Sequence, residues 1–210
     1  MQKGPTSGAA SRRPWAERHA HLLDAAEQLF FERGFAAVSL SDIAQAAGVT
    51  KPIAYRHFKT KDGAYLACAR RAQVDFAQAL VQRADPTQAV REQFAAAADL
   101  FYELLETHPE RWELIYGSAA VLPAESRDEL SALRLGNIET TYALITKDHP
   151  DIPKLFAEGL SHAMSGAAER LGHWWRSRPD LDRQHMVDIH VEIFYAAVAP
   201  YLDSRSTAKH

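Results

Sequence analysis

Proline cuts the second half of this chain at five places: Asp85-Pro86, His108-Pro109, Leu122-Pro123, His149-Pro150 followed by Pro153, and Arg178-Pro179. A proline lacks the backbone donor, and it pushes the residue before it away from the helical region, so helices end or begin at such points. The intervals between the breaks are helix-length, and apolar residues recur in them at three- and four-residue spacing. No stretch alternates β-branched and polar residues between turns, so no sheet is expected. The chain is thereby confined to an all-α architecture. Helices are expected near 14–33, 41–47, 50–58, 61–82, 87–107, 110–121, 124–147, 153–178 and 182–203, about nine in total.

With 210 residues the chain has room for one large helical domain, or a small one joined to a larger one. It contains no apolar run long enough to span a bilayer, so no membrane segment is expected. Residues 1–13 are polar, lack the apolar segment of a secretory signal and are expected to form a flexible arm. Cys68 is the single cysteine, which excludes an intrachain disulfide and suits a reducing cytoplasm. The net charge of −3 is unevenly spread: residues 1–83 carry +5 and residues 84–210 carry −8. A basic first third on an acidic remainder suits a nucleic-acid-binding head on a body that avoids nucleic acid.

Within the basic third, Ser41 to Phe58 reads as two short helices around a Gly48-Val49 turn. Ser39 or Ser41 can cap the first, and Asp42 suits its first turn. Thr50 opens the second as N-cap and Pro52 lies in its first turn. Lys51, Pro52, Ile53, Tyr55 and Arg56 lie on or around the outer face, and Ala54 and Phe58 face inward with Val49. This is the pattern of a helix-turn-helix, whose second helix enters the DNA major groove. Lys51 and Arg56 can donate to guanine, Pro52 and Ile53 can meet thymine methyls, and Tyr55 and His57 have tips suited to phosphate. Lys61 and the free backbone N–H groups of the next helix make a further phosphate site. The other reading is an ordinary helical hairpin with a solvated basic face.

Residues 14–66 resemble the N-terminal domain of TetR-type transcriptional regulators. The resemblance rests on Ala25-Ala26-x-x-Leu29-Phe30-x-x-x-Gly34-Phe35, Ser41-Asp42-Ile43-Ala44-x-x-Ala47-Gly48-Val49, Thr50-Lys51-Pro52-x-x-Tyr55-x-His57-Phe58 and Lys61-Asp62, in that order. It implies a helix-turn-helix domain at 14–60 and a ligand-binding and dimerisation bundle at 61–210. It places the family's phosphate contacts on Ser39, Tyr55, His57 and Lys61, and its base-reading positions on Ser41, Lys51, Pro52, Ile53 and Arg56. Two residues depart from the family pattern. Ile53 stands where a small hydroxyl residue is common, and Ala54 where a larger aliphatic is common. Arg12 and Arg13 either reach a minor groove or are solvated charges on a loose tail.

The resemblance further implies a homodimer on a pseudo-palindromic DNA operator, repressing transcription until a small, largely apolar effector releases it. Gly159, Ala163, Gly166 and Ala167 form a small-residue stripe that allows a partner helix to approach. Ile189, Ile193 and Ala197 supply an apolar partner face. Alternatively both faces pack only within one subunit. Phe101, Leu105, Trp112, Tyr116, Tyr142 and His162 are the candidates for lining an effector pocket, or else plain core. No nucleophile elbow or Gly-rich phosphate loop is present, so neither an enzyme nor a cofactor is expected. The pairs Glu158/His162 and Glu169/His173 lack a third ligand, so no metal is expected. A helical ligand-binding or protein-interaction module without specific DNA binding is the alternative function.

Overall fold

The structure, a computed structural model, describes residues 14–117 and 122–207, the last six by backbone alone. Among these residues there are nine helices and no strand: α1 (Trp15–Ala37), α2 (Leu40–Ala46), α3 (Lys51–Phe58), α4 (Lys61–Arg83), α5 (Val90–Thr107), α6 (Pro109–Tyr116), α7 (Ala124–Asp148), α8 (Lys154–Trp175) and α9 (Arg183–Thr207). The arm expected at residues 1–13, with Arg12 and Arg13, lies outside the described residues.

Local chemistry explains most of the boundaries. Ser39 is the N-cap of α2, and its hydroxyl accepts from the Asp42 backbone N–H while the Asp42 carboxylate accepts from the Ser39 backbone. This reciprocal capping box satisfies two donors that the helix start would otherwise leave bare. α5 begins at Val90, not near 87, because Thr87 donates twice to the Asp85 carboxylate and holds residues 85–87 in a turn. α8 stops at Trp175, where Ser177 and Arg178 donate back to the Trp174 and Trp175 carbonyls, short of the expected 178. α9 runs through Pro200 to Thr207, beyond the expected end at 203.

Two apolar cores organise the helices. The first joins Leu22, Ala26, Leu29 and Phe30 of α1 with Ile43 and Ala44 of α2, Ala54 and Phe58 of α3, and Ala64, Tyr65 and Cys68 of α4. The second lies between the later helices and includes Phe94, Phe101 and Tyr102 of α5, Trp112 and Tyr116 of α6, and Met186 and Phe194 of α9. The first half of α4 packs into the first core, and Ala72 on its next turns packs into the second. α4 therefore belongs to both. Burial pushes the Cys68 thiol up, which leaves it a protonated core residue. No described helix is long and apolar enough to cross a membrane.

Candidate nucleic-acid interface and internal cavity

The turn between α2 and α3 is made by Gly48, whose φ of 64° is a region that residues with a Cβ seldom adopt. It sets α3 across the head with two distinct faces. Lys51, Pro52, Tyr55 and Arg56 are exposed, and Ala54 and Phe58 are buried. Thr50 occupies the N-cap position without a side-chain cap bond, so its hydroxyl is not spent on the helix. Four exposed residues at one, two, five and six along eight residues make a single helical face. Three of them carry donors, and no acidic side chain belongs to α3.

Ile53 and His57 lie on the other side. Ile53 is half-buried and packs against the first core. His57 stacks on the Trp15 indole with ring centroids 3.7 Å apart, and its Nδ1 is 3.0 Å from Nδ1 of His19. Its Nε2 is buried without a hydrogen-bond partner. Burial is the main cause that holds both imidazoles below their usual range, helped by Arg71 at His19 and by His19, Arg18 and Arg56 at His57. A neutral pair fits the geometry, since one Nδ1 must donate and the other accept. His57 thus clamps α3 onto the start of α1. The Arg56 guanidinium lies 5.5 Å from the Trp15 ring centroid, a cation–π contact that helps to hold this exposed arginine in place.

Lys61 is also engaged within the head. Its ammonium donates to the carbonyls of Phe35 (3.0 Å) and Ala36 (3.2 Å) and sits over the Phe35 ring. It satisfies the carbonyls that the end of α1 leaves open, and in this arrangement it is not a free phosphate ligand. Ser39 is exposed but committed to its cap, and Ser41 is half-buried.

The joint from α3 to α4 is tight. Thr60 N–H donates to the Phe58 carbonyl at 2.7 Å across Lys59, whose φ of 62° makes a strained γ-turn. Gly63 then passes so close that a Cβ would lie 2.3 Å from the same carbonyl oxygen. The recognition helix is therefore coupled rigidly to the helix that enters the body.

In the body, a cavity of about 140 Å³ opens between α4, α5, α6, α7, α8 and α9. Phe101 and Tyr116 line it, and so do Phe76, Asn137 and His190 from three further helices. The other expected pocket residues lie elsewhere. Trp112 is fully buried, edge-on to His173 at 4.7 Å, and packed against Gly172. Leu105 is buried beside it, Tyr142 packs on the second core and His162 is exposed. His173 bonds the Tyr116 carbonyl at 3.2 Å, and so is placed by α6, not by Glu169.

Gly159, Ala163 and Gly166 are exposed on α8, and the space above both glycines is open. Ile193 is half-exposed on α9, Ile189 and Ala197 are half-buried, and Ala167 packs on the second core.

Comparison with known proteins adds to this geometry. Residues 22–68 match the model of the tetR family of bacterial regulatory proteins, from within α1 to the first turns of α4. Over 203 residues the chain is 25% identical to the HTH-type transcriptional activator FasR of Mycolicibacterium smegmatis, covering 94% of this chain and 91% of that one. It superposes on a TetR-like transcriptional regulator from Rhodococcus sp. RHA1 with a TM-score of 0.69 and 26% identity, covering 90% and 99% of the two chains. The chain belongs to the TetR family. It is a helix-turn-helix transcriptional regulator and not an enzyme. The fold is shared more widely: FadR from Bacillus subtilis, solved in complex with stearoyl-CoA, superposes with a TM-score of 0.69 at 16% identity, over 84% and 97% of the chains.

Sequence reasoning brought together Lys51, Pro52, Ile53, Tyr55 and Arg56, and the fold exposes all of these but Ile53. It missed Trp15 and His19, whose contacts with His57 join positions about forty residues apart. It also missed Asn137 and His190 in the cavity wall, because which residues face a void depends on the packing of several helices at once.

Proposed function

We propose that this regulator works in the cytoplasm as a homodimer, binds a pseudo-palindromic operator by laying α3 of each protomer in the major groove, and represses until a small, largely apolar effector enters the α4–α9 cavity. The observation that carries the reading is the α3 face of Lys51, Pro52, Tyr55 and Arg56, exposed together on a helix fixed at both ends. Arg56 and Lys51 read guanine edges, Pro52 meets a thymine methyl, and Tyr55 and the Thr50 hydroxyl reach phosphate. Ile53 contributes through the edge it leaves exposed, while Ser39 in the α2 cap, His57 in the α1–α3 clamp and Lys61 at the end of α1 hold the head together instead of touching DNA. The cavity wall is mainly apolar, which suits a ligand of that character. FadR, with the same fold, holds stearoyl-CoA.

The cavity has a path to the head. Tyr116 of α6 lines it, and five residues earlier Arg111 of the same helix pairs with Glu27 of α1 at 3.4 Å. A ligand that favours a different setting of α6 over the present one shifts the head with it.

Binding to duplex DNA from the protein's own promoter region, measured against salt, tests the reading. Arg56→Ala and Lys51→Ala should each weaken specific binding about tenfold or more and relax the preference for guanine at the contacted position. Failure to bind at low salt would leave a ligand-binding or protein-interaction module. A second reading, activation, is favoured by the likeness to FasR, which is named an activator. A reporter driven by the bound promoter decides the sign.

A further inference from the structure

The geometry points to a small uncharged occupant of the α4–α9 cavity: an aromatic or short alkyl molecule with one carbonyl or hydroxyl oxygen, held by His190. This deepens the effector reading and rests on it only for the consequence at the DNA. Size is the first constraint. At about 140 Å³ the space is close to the ~150 Å³ apolar cavity that accommodates benzene.

Charge is the second constraint. The buried polar groups of the wall are neutral and engage one another. The Asn137 amide donates to the Tyr116 hydroxyl at 3.3 Å, and its carbonyl accepts from Gln73 at 3.4 Å. Arg83 is the one lysine or arginine among the lining residues and the one exposed residue there. Its guanidinium is already paired with Asp99 and Glu103. Asp148 adds a negative charge to the lining. His149, also in the lining, is engaged through its Nε2 with the Gln93 amide oxygen at 3.2 Å, so a carboxylate carried inside would lose its water and meet no free cation, a large cost.

His190 supplies the third. It is buried, and its Nδ1 lies 3.4 Å from the Tyr102 hydroxyl. In the tautomer that lets the Tyr102 hydroxyl donate to it, Nδ1 carries the lone pair and Nε2 carries the proton. The imidazole can then donate to an oxygen of the ligand. Burial keeps the ring neutral, holding it down to about 4.

The test uses the full chain and four probes built on one benzene ring, at pH 7: benzamide, benzoate, benzylamine and toluene, followed by calorimetry and thermal shift. Benzamide should bind at least about tenfold tighter than benzoate or benzylamine, and about fivefold tighter than toluene. Ala98→Phe, which fills the cavity, should abolish benzamide binding. The double variant Tyr102→Phe/His190→Leu, which leaves no hydroxyl without an acceptor, should bring benzamide down to the level of toluene. Benzoate binding as tightly as benzamide, benzamide binding unchanged in Ala98→Phe, or no binding by any probe would overturn the assignment. The wild-type probe series decides the charge question even if a variant fails to fold. DNA release is read in parallel. A probe that binds in this order but leaves DNA binding unchanged overturns the effector reading and leaves the assigned ligand class standing.

Discussion

A methyl group at residue 63 would collide with the Phe58 carbonyl oxygen at 2.3 Å, and that oxygen is already fixed by the γ-turn at Lys59. Neither side of the contact can yield cheaply, because one is backbone and the other begins a helix. Gly63→Ala should therefore cost about 2 kcal/mol, read as a lower midpoint in urea unfolding. An unchanged midpoint would mean that the α3–α4 joint is loose. His190 governs a different property. Burial holds its imidazole to about 4 in the fold, below the ordinary 6.5. As pH falls through 6.5 the unfolded chain takes up the proton first, so the folded state loses stability until its own ring protonates near 4. Between pH 7 and 5 this one group should remove about 2 kcal/mol, and His190→Gln should abolish that part of the loss. His19 and His57 are also held down by burial and act in the same direction, so acid also loosens the α1–α3 clamp.

At the scale of the helices, α6 bridges the head and the body, packing on α1, α4, α5 and α7. Its last carbonyls accept from Tyr65 of α4 and Arg134 of α7, and its Arg111 pairs with Glu27 of α1 and Asp75 of α4. Glu27 is buried on the apolar side of α1 and is gripped on two atoms by Arg71 at 2.8 and 2.7 Å. Removing one partner leaves the other charges under-compensated in a region mostly screened from water. Glu27→Ala should then cost about 3 kcal/mol in chemical unfolding. A cost close to zero would show that Arg71 and Arg111 are satisfied by Asp24 and Asp75 alone.

For the whole molecule, a single α3 reads only a few base pairs, so operator-level discrimination calls for two copies. Gly159, Ala163 and Gly166 on α8 and Ile193 on α9 present the small and apolar surface that a second copy can cover. Ile193→Asp should place a charge in that contact and shift sedimentation from dimer to monomer. Operator affinity should fall steeply in the same variant, although α3 is untouched. A variant that still sediments as a dimer would move the interface to another face. The charge split has the same scale: the basic third contains α1 to α4, and the net charge of the acidic remainder is of the sign that a phosphate backbone repels.

The residues determined by sequence alone are those whose environment lies within one helical turn. A serine cap at 39 or 41 with Asp42 in the first turn, the turn at Gly48, an outer α3 face carrying Lys51, Pro52, Tyr55 and Arg56, and the proline-marked breaks all depend on near neighbours in the chain, and the pattern of side chains records them; the choice of Ser39 and the half-burial of Ile53 are not in that pattern. Tertiary structure decided the rest. It turned His57 inward onto Trp15 and His19, spent Lys61 on the end of α1, buried Glu27 in an ion-pair network, and opened the cavity beside Asn137 and His190 instead of beside Trp112 and His162. Each of those outcomes depends on a partner tens of residues away. Where a void is left among six helices depends on how all their side chains pack at once, and no local spacing encodes that.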